Sequence, residues 1–136
     1  MSHVPHVPRV LFVCLHGSAK SVIAAESLRR LAADRGLPVE VASAGLEPDA
    51  EIPPHVAAAL LGEGIDVRGR RPAPLTPEAV AAADHVVAFG CDLDHAAPPG
   101  VVVTRWDDVP AVSDGYAAAR AAIVERVVPF LDALSR

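Results

Sequence analysis

Cysteine is scarce: two residues in a chain of 136. Two thiols make no disulfide framework, and they fit the reducing conditions of a cytoplasm. Aromatic residues are only 4% of the chain, so any core must be built mainly from aliphatic side chains. Basic charge is also short. Twelve Lys and Arg face seventeen Asp and Glu, for a net charge of −5. That balance gives no electrostatic case for nucleic acid or for an anionic membrane surface. Apolar runs are too short to span a bilayer. The first eight residues, Met1-Ser2-His3-Val4-Pro5-His6-Val7-Pro8, lack a charged segment followed by a long apolar core, so they do not read as a signal peptide. They read as a flexible leader over 1–8. What the chain does have is 51% hydrophobic residues, enough for a single domain over 9–136 with a proper core.

One stretch carries chemistry: Val10-Leu11-Phe12-Val13-Cys14-Leu15-His16-Gly17-Ser18-Ala19-Lys20-Ser21. An apolar run ends at a cysteine. Small residues follow, then a cation, a hydroxyl and a helical pattern. A strand, a loop and a helix N-terminus in that order bring free backbone N–H groups and the positive end of a helix dipole to one point, which suits an oxyanion. The same environment favours a thiolate over a thiol. Cys14 therefore reads as a functional thiol and not as a core residue closing a strand. Leu15, His16, Gly17, Ser18, Ala19, Lys20 and Ser21 form the expected anion cradle. For His16, lining the pocket and facing solvent stay open as alternatives.

The remaining pattern is strand and helix in alternation. Residues 9–14 read as a buried strand. Residues 21–35 form an amphipathic helix closed by Gly36. A second strand spans 39–42, with Ser43-Ala44-Gly45 turning out of it, and a proline-bearing loop follows to Pro54. Pro54 opens a helix to about Leu61. Residues 65–74 are basic and irregular, and Arg68, Arg70 and Arg71 read as a solvated run. Thr76 caps a helix whose first residue is Pro77. Strands follow at 84–89 and 101–104. A loop at 106–115 precedes a closing helix over 116–134, with a kink expected at Pro129. Such alternation implies a parallel sheet with right-handed crossovers. Its ligands sit beyond the carboxyl ends of the strands, at the switch point of strand order. His85 and His95 make no metal constellation with two cysteines so far apart from each other in sequence.

Cys14 through Ser21, a cysteine, five residues, a cation and a serine, resembles the phosphate loop of low-molecular-weight protein tyrosine phosphatases and thioredoxin-coupled arsenate reductases. The resemblance continues in Ala42-Ser43-Ala44-Gly45, Gly64-Ile65-Asp66-Val67, Ala83-Asp84-His85-Val86-Val87 and Trp106-Asp107-Asp108-Val109-Pro110. It implies a three-layer α/β fold with a four-stranded parallel sheet in the order 2-1-3-4. It also implies a hydrolase acting on a phosphorylated protein, a small phosphomonoester or another oxyanion, with Cys14 as nucleophile, Ser21 orienting its thiolate and no metal or organic cofactor.

The departures from the family pattern are specific. Lys20 stands where the family has arginine. Arginine offers a planar fork to two oxygens, and lysine a point charge. Losing one charge-assisted hydrogen bond costs roughly 1.5–3 kcal/mol, or about ten- to a hundredfold in rate. Gly17 replaces a structural asparagine, and Ala19 replaces a second loop cysteine. The family's acid is an aspartate beside a proline. Here it falls at Ala111 or near Asp108, which leaves Asp107, Asp108 and Asp114 as candidates, against a reading as surface turn residues. For arsenate reduction, Cys91 is the candidate resolving thiol, against a reading as a buried structural thiol. The next cysteine of such a relay would fall near Ala97 and is missing, so an external thiol would replace it. Trp106 is open between pocket wall and plain packing. Hydrolysis, arsenate reduction and anion binding by a degenerate scaffold are the three functions the sequence leaves standing.

Overall fold

The computed structural model describes residues 7–91, 93 and 98–134. His95, Ala97 and most of the expected leader lie outside them. Four strands, β1 (Arg9–Cys14), β2 (Glu40–Gly45), β3 (His85–Ala88) and β4 (Val102–Arg105), form one parallel sheet in the order β2-β1-β3-β4. Helices α1 (Lys20–Arg35), α2 (Pro54–Gly62), α3 (Pro77–Ala82) and α4 (Tyr116–Leu134) flank it. The expected sheet and its order are therefore present.

Side chains alternate across a strand, and β1 shows the consequence. Val10, Phe12 and Cys14 join the core under α1 and α4, with Ile23, Leu28, Val127 and Leu131. Leu11 and Val13 face the other way, onto Val80, Val86 and Ala88. The few aromatics are concentrated rather than spread. Phe12, Phe89, Trp106 and Phe130 stack and tilt against one another with ring centroids 5.6–6.4 Å apart. Trp106 thus packs in the core beside β3 and α4.

Local chemistry sets the element ends. Gly36 closes α1 in the left-handed conformation (φ 66°), its N–H and the next residue's returning to carbonyls of the last turn. Thr76 caps α3, its Oγ1 accepting the Ala79 N–H at 3.1 Å. α4 runs unbroken through Pro129. One boundary differs from expectation by more than a residue. β2 does not turn away at Ser43 but continues to Gly45, because Cys14 pairs opposite Gly45 and holds the strand in register to its end. The basic segment is tied down in part: Arg70 reaches the buried Glu26 of α1, and Arg68 pairs with Asp66.

Candidate active site

β1 is the switch point of the sheet, with β2 on one side and β3 on the other. Cys14 ends it. The chain then loops to α1, whose first turn has no side-chain cap, leaving its N–H groups to whatever occupies the loop. The buried Cys14 sulfur already receives the Gly17 N–H at 3.2 Å and lies 3.0 Å from Ser21 Oγ. Both contacts converge on the atom that would react.

The loop is held open from one side by a second backbone segment. Leu46 N–H donates to the Cys14 carbonyl, Glu47 N–H to Leu15 at 2.7 Å and Asp49 N–H to His16 at 3.1 Å. That pairing demands glycine on both strands of the approach. Gly17 sits at φ 62°, and a Cβ there would fall 2.6 Å from the Gly45 nitrogen. A Cβ on Gly45 would fall 2.5 Å from the Gly17 nitrogen. The Ala42-Ser43-Ala44-Gly45 motif therefore matters for its last residue, which lets β2 lie against the loop.

A cleft of about 310 Å³ opens over Cys14. Leu15, His16, Ser18, Ala19 and Lys20 line its floor and near wall, and Asp49, Pro53 and His55 face them. Phe89 and the segment 111–113 close it. Lys20, the chain's one lysine beside eleven arginines, donates from Nζ to the Val109 carbonyl at 2.9 Å. It thereby ties the loop after β4 to the cradle.

The expected acids are not brought to this cleft. Asp108, its side chain 76% exposed, is paired with Arg126 of α4. That bond holds its carboxyl below the usual range. Asp107 accepts the Gly90 N–H at 3.2 Å and pairs with Arg105. The segment that does face Cys14, Ala111-Val112-Ser113, carries no ionisable side chain. Cys91 is buried, with its Sγ 3.4 Å from the Phe89 carbonyl. Burial pushes its thiol pKa up, and the charges of Cys14 and Asp107 add to that.

Asp49 and His55 escaped the sequence reading. Ser18 Oγ donates to Asp49 Oδ2 at 2.7 Å, and Asp49 Oδ1 lies 3.5 Å from His16 Nδ1. The signal available was Leu46-Glu47-Pro48-Asp49, an acidic loop directly following the strand that pairs with β1.

A parallel α/β sheet whose switch-point strand ends in a cysteine, followed by an amide-lined loop and an uncapped helix, defines the class. The chain matches the low molecular weight phosphotyrosine protein phosphatase family over residues 9–101 and belongs to it. Among solved structures it is 33% identical to a thioredoxin-dependent arsenate reductase of Corynebacterium glutamicum, with a TM-score of 0.80 over 96% of this chain. This chain spans 64% of that reductase's length. YfkJ of Bacillus subtilis superposes with a TM-score of 0.82 at 20% identity, covering 96% of each chain. A low molecular weight phosphotyrosine phosphatase of Vibrio cholerae O395 does so with 0.82 at 19%, covering 95% of this chain and 97% of its own. The last two likenesses speak for the fold alone. No curated protein sequence matches the chain. No helix among the described residues is long and apolar enough to cross a membrane.

Proposed function

We propose that the protein is a cytoplasmic hydrolase of phosphomonoesters, such as phosphotyrosine in a protein or a small aryl phosphate, with Cys14 as nucleophile. The observation that carries this reading is the pair of contacts on the Cys14 sulfur, from Gly17 N–H and Ser21 Oγ, inside an uncapped helix N-terminus. The thiolate attacks phosphorus, an S–P bond forms, and the P–O pair leaves with the alcohol oxygen. The amides of Leu15 to Ser21 hold the non-bridging oxygens. Lys20 has three ammonium protons; one is given to Val109 and the others face the anion. Water then cleaves the S–P bond and returns the thiolate.

A second reading is favoured by the identity with the arsenate reductase. Cys14 attacks arsenate and water leaves. An external thiol then attacks the Cys14 sulfur. The S–As pair departs with arsenic, reducing As(V) to As(III), and a mixed disulfide remains for a second thiol to reduce. Steady-state turnover of para-nitrophenyl phosphate, run beside arsenate with a small-molecule thiol, separates the two. Aryl phosphate turnover lost in Cys14→Ser supports the first reading, and thiol-dependent arsenite release alone supports the second. Anion binding without either reaction rejects both and leaves a degenerate binding scaffold.

A further inference from the structure

We propose that His16, oriented by the Glu47 carbonyl and Asp49, is the general acid and base of this site, in place of an aspartate from the loop after β4. The proposal rests on the phosphatase reading. It begins from a gap in the cleft: Ala111 to Ser113 carry no acid for a leaving group, Asp107 and Asp108 are held elsewhere, and the exposed Asp114 is not among the lining residues. The ionisable groups that do line it are Cys14 on β1, His16 in the loop, Lys20 on α1, Asp49 before α2 and His55 on α2.

Geometry selects among them. Cys14 is the nucleophile, and Lys20 is tied by its Nζ to the Val109 carbonyl. Asp49 is engaged on both sides: its Oδ2 accepts from Ser18 Oγ and its Oδ1 faces His16. His55 has no hydrogen-bond partner among the described residues and no fixed orientation follows for it. His16 is fixed. Its Nδ1 lies 3.1 Å from the Glu47 carbonyl oxygen, which only accepts, so Nδ1 carries a proton. Asp49 Oδ1 lies 3.5 Å from the same nitrogen and helps to fix the ring. Nε2, held by no described residue, is then the nitrogen that gives and takes the mobile proton, as a carboxylate-oriented histidine does in other nucleophilic enzymes. As the P–O bond breaks, the leaving oxygen takes the Nε2 proton. In the second half-reaction Nε2 takes a proton from the water that attacks the thiophosphate, and the S–P pair returns to Cys14.

The test compares His16→Asn with wild type on phenyl phosphate and on para-nitrophenyl phosphate, whose phenolate leaves without help. Asparagine keeps a donor for the Glu47 carbonyl. The kcat/KM on phenyl phosphate is expected to fall by a factor of about 10² more than that on the nitrophenyl ester. Equal falls on both esters, with wild-type turnover intact, would overturn the acid role and spare the phosphatase reading. Absence of Cys14-dependent turnover in wild type would overturn both. Independently of activity, ¹⁵N NMR of the free wild-type protein should show His16 protonated at Nδ1. A neutral ring protonated at Nε2 would overturn the proposal outright.

Discussion

Three glycine-to-alanine substitutions separate backbone strain from close approach at the loop that follows Cys14. Gly36 has φ 66° and open space around it; Gly45 lies outside the left-handed region but abuts the Gly17 backbone; Gly17 has both φ 62° and the contact. The left-handed conformation costs alanine about 1–2 kcal/mol. Forcing a methyl into packed backbone costs about 1–3 kcal/mol more. For a chain of 136 residues the unfolding entropy is about 0.29 kcal/mol/K. Gly36→Ala should therefore lower Tm by about 3–7 °C, Gly45→Ala by about 3–10 °C, and Gly17→Ala by about 7–17 °C. Scanning calorimetry, with urea titration as a check on two-state behaviour, reads all three. Gly17→Ala no more destabilising than Gly36→Ala would refute the account of the Gly17–Gly45 approach, since only that approach distinguishes the two sites.

Lys20→Arg should give no gain in turnover of an aryl phosphate, because the ammonium is already fitted to the Val109 carbonyl at 2.9 Å; a tenfold rise would show that the latch is dispensable. Glu26 is buried on α1, and burial pushes its carboxyl up, but the bonds from Arg70 and Arg29 outweigh this and leave it below 4.5. A lowered folded-state pKa stabilises above the unfolded value and is lost as pH falls through the folded one. Wild type should therefore lead Glu26→Gln by about 1–3 kcal/mol in urea unfolding near neutrality, and that lead should shrink from pH 4.5 downward. A constant lead across acid pH would contradict the assignment. Asp108→Asn should leave the ratio of rates on phenyl and para-nitrophenyl phosphate as in wild type, whereas a selective loss on phenyl phosphate would return the acid role to Asp108.

The sheet was legible because its evidence is local. β1 shows an apolar run, Gly36 a helix stop and Thr76-Pro77 a helix start, and each of these acts over a few residues. The crossover rule gives a parallel sheet, and the strand order comes from the family resemblance alone. The geometry of the candidate site is legible up to Ser21 for the same reason, since strand end, loop and helix N-terminus are continuous in the chain. What lay beyond reading was pairing across distance. Asp49 reaches Ser18 across 31 residues of chain and His16 from still further, and nothing in Leu46-Glu47-Pro48-Asp49 specifies that approach. Lys20 looked like a weakened arginine, because its tie to Val109 spans 89 residues. Asp108 reads as a candidate acid because Pro110 lies two residues on, but Arg126 on α4 pairs with it. Gly45 reads as a turn residue because glycine often is one, while in the fold it leaves room for Gly17.

The central claim is that Cys14 is the nucleophile of a loop that binds a tetrahedral oxyanion, and acid quenching during turnover of para-nitrophenyl phosphate tests it most directly. Peptide mass spectrometry of the quenched protein should find one phosphoryl group on the peptide holding Cys14, none on that holding Cys91, and neither adduct nor turnover in Cys14→Ser. Turnover that persists in Cys14→Ser, or steady hydrolysis with the phosphoryl group on another residue, would contradict it.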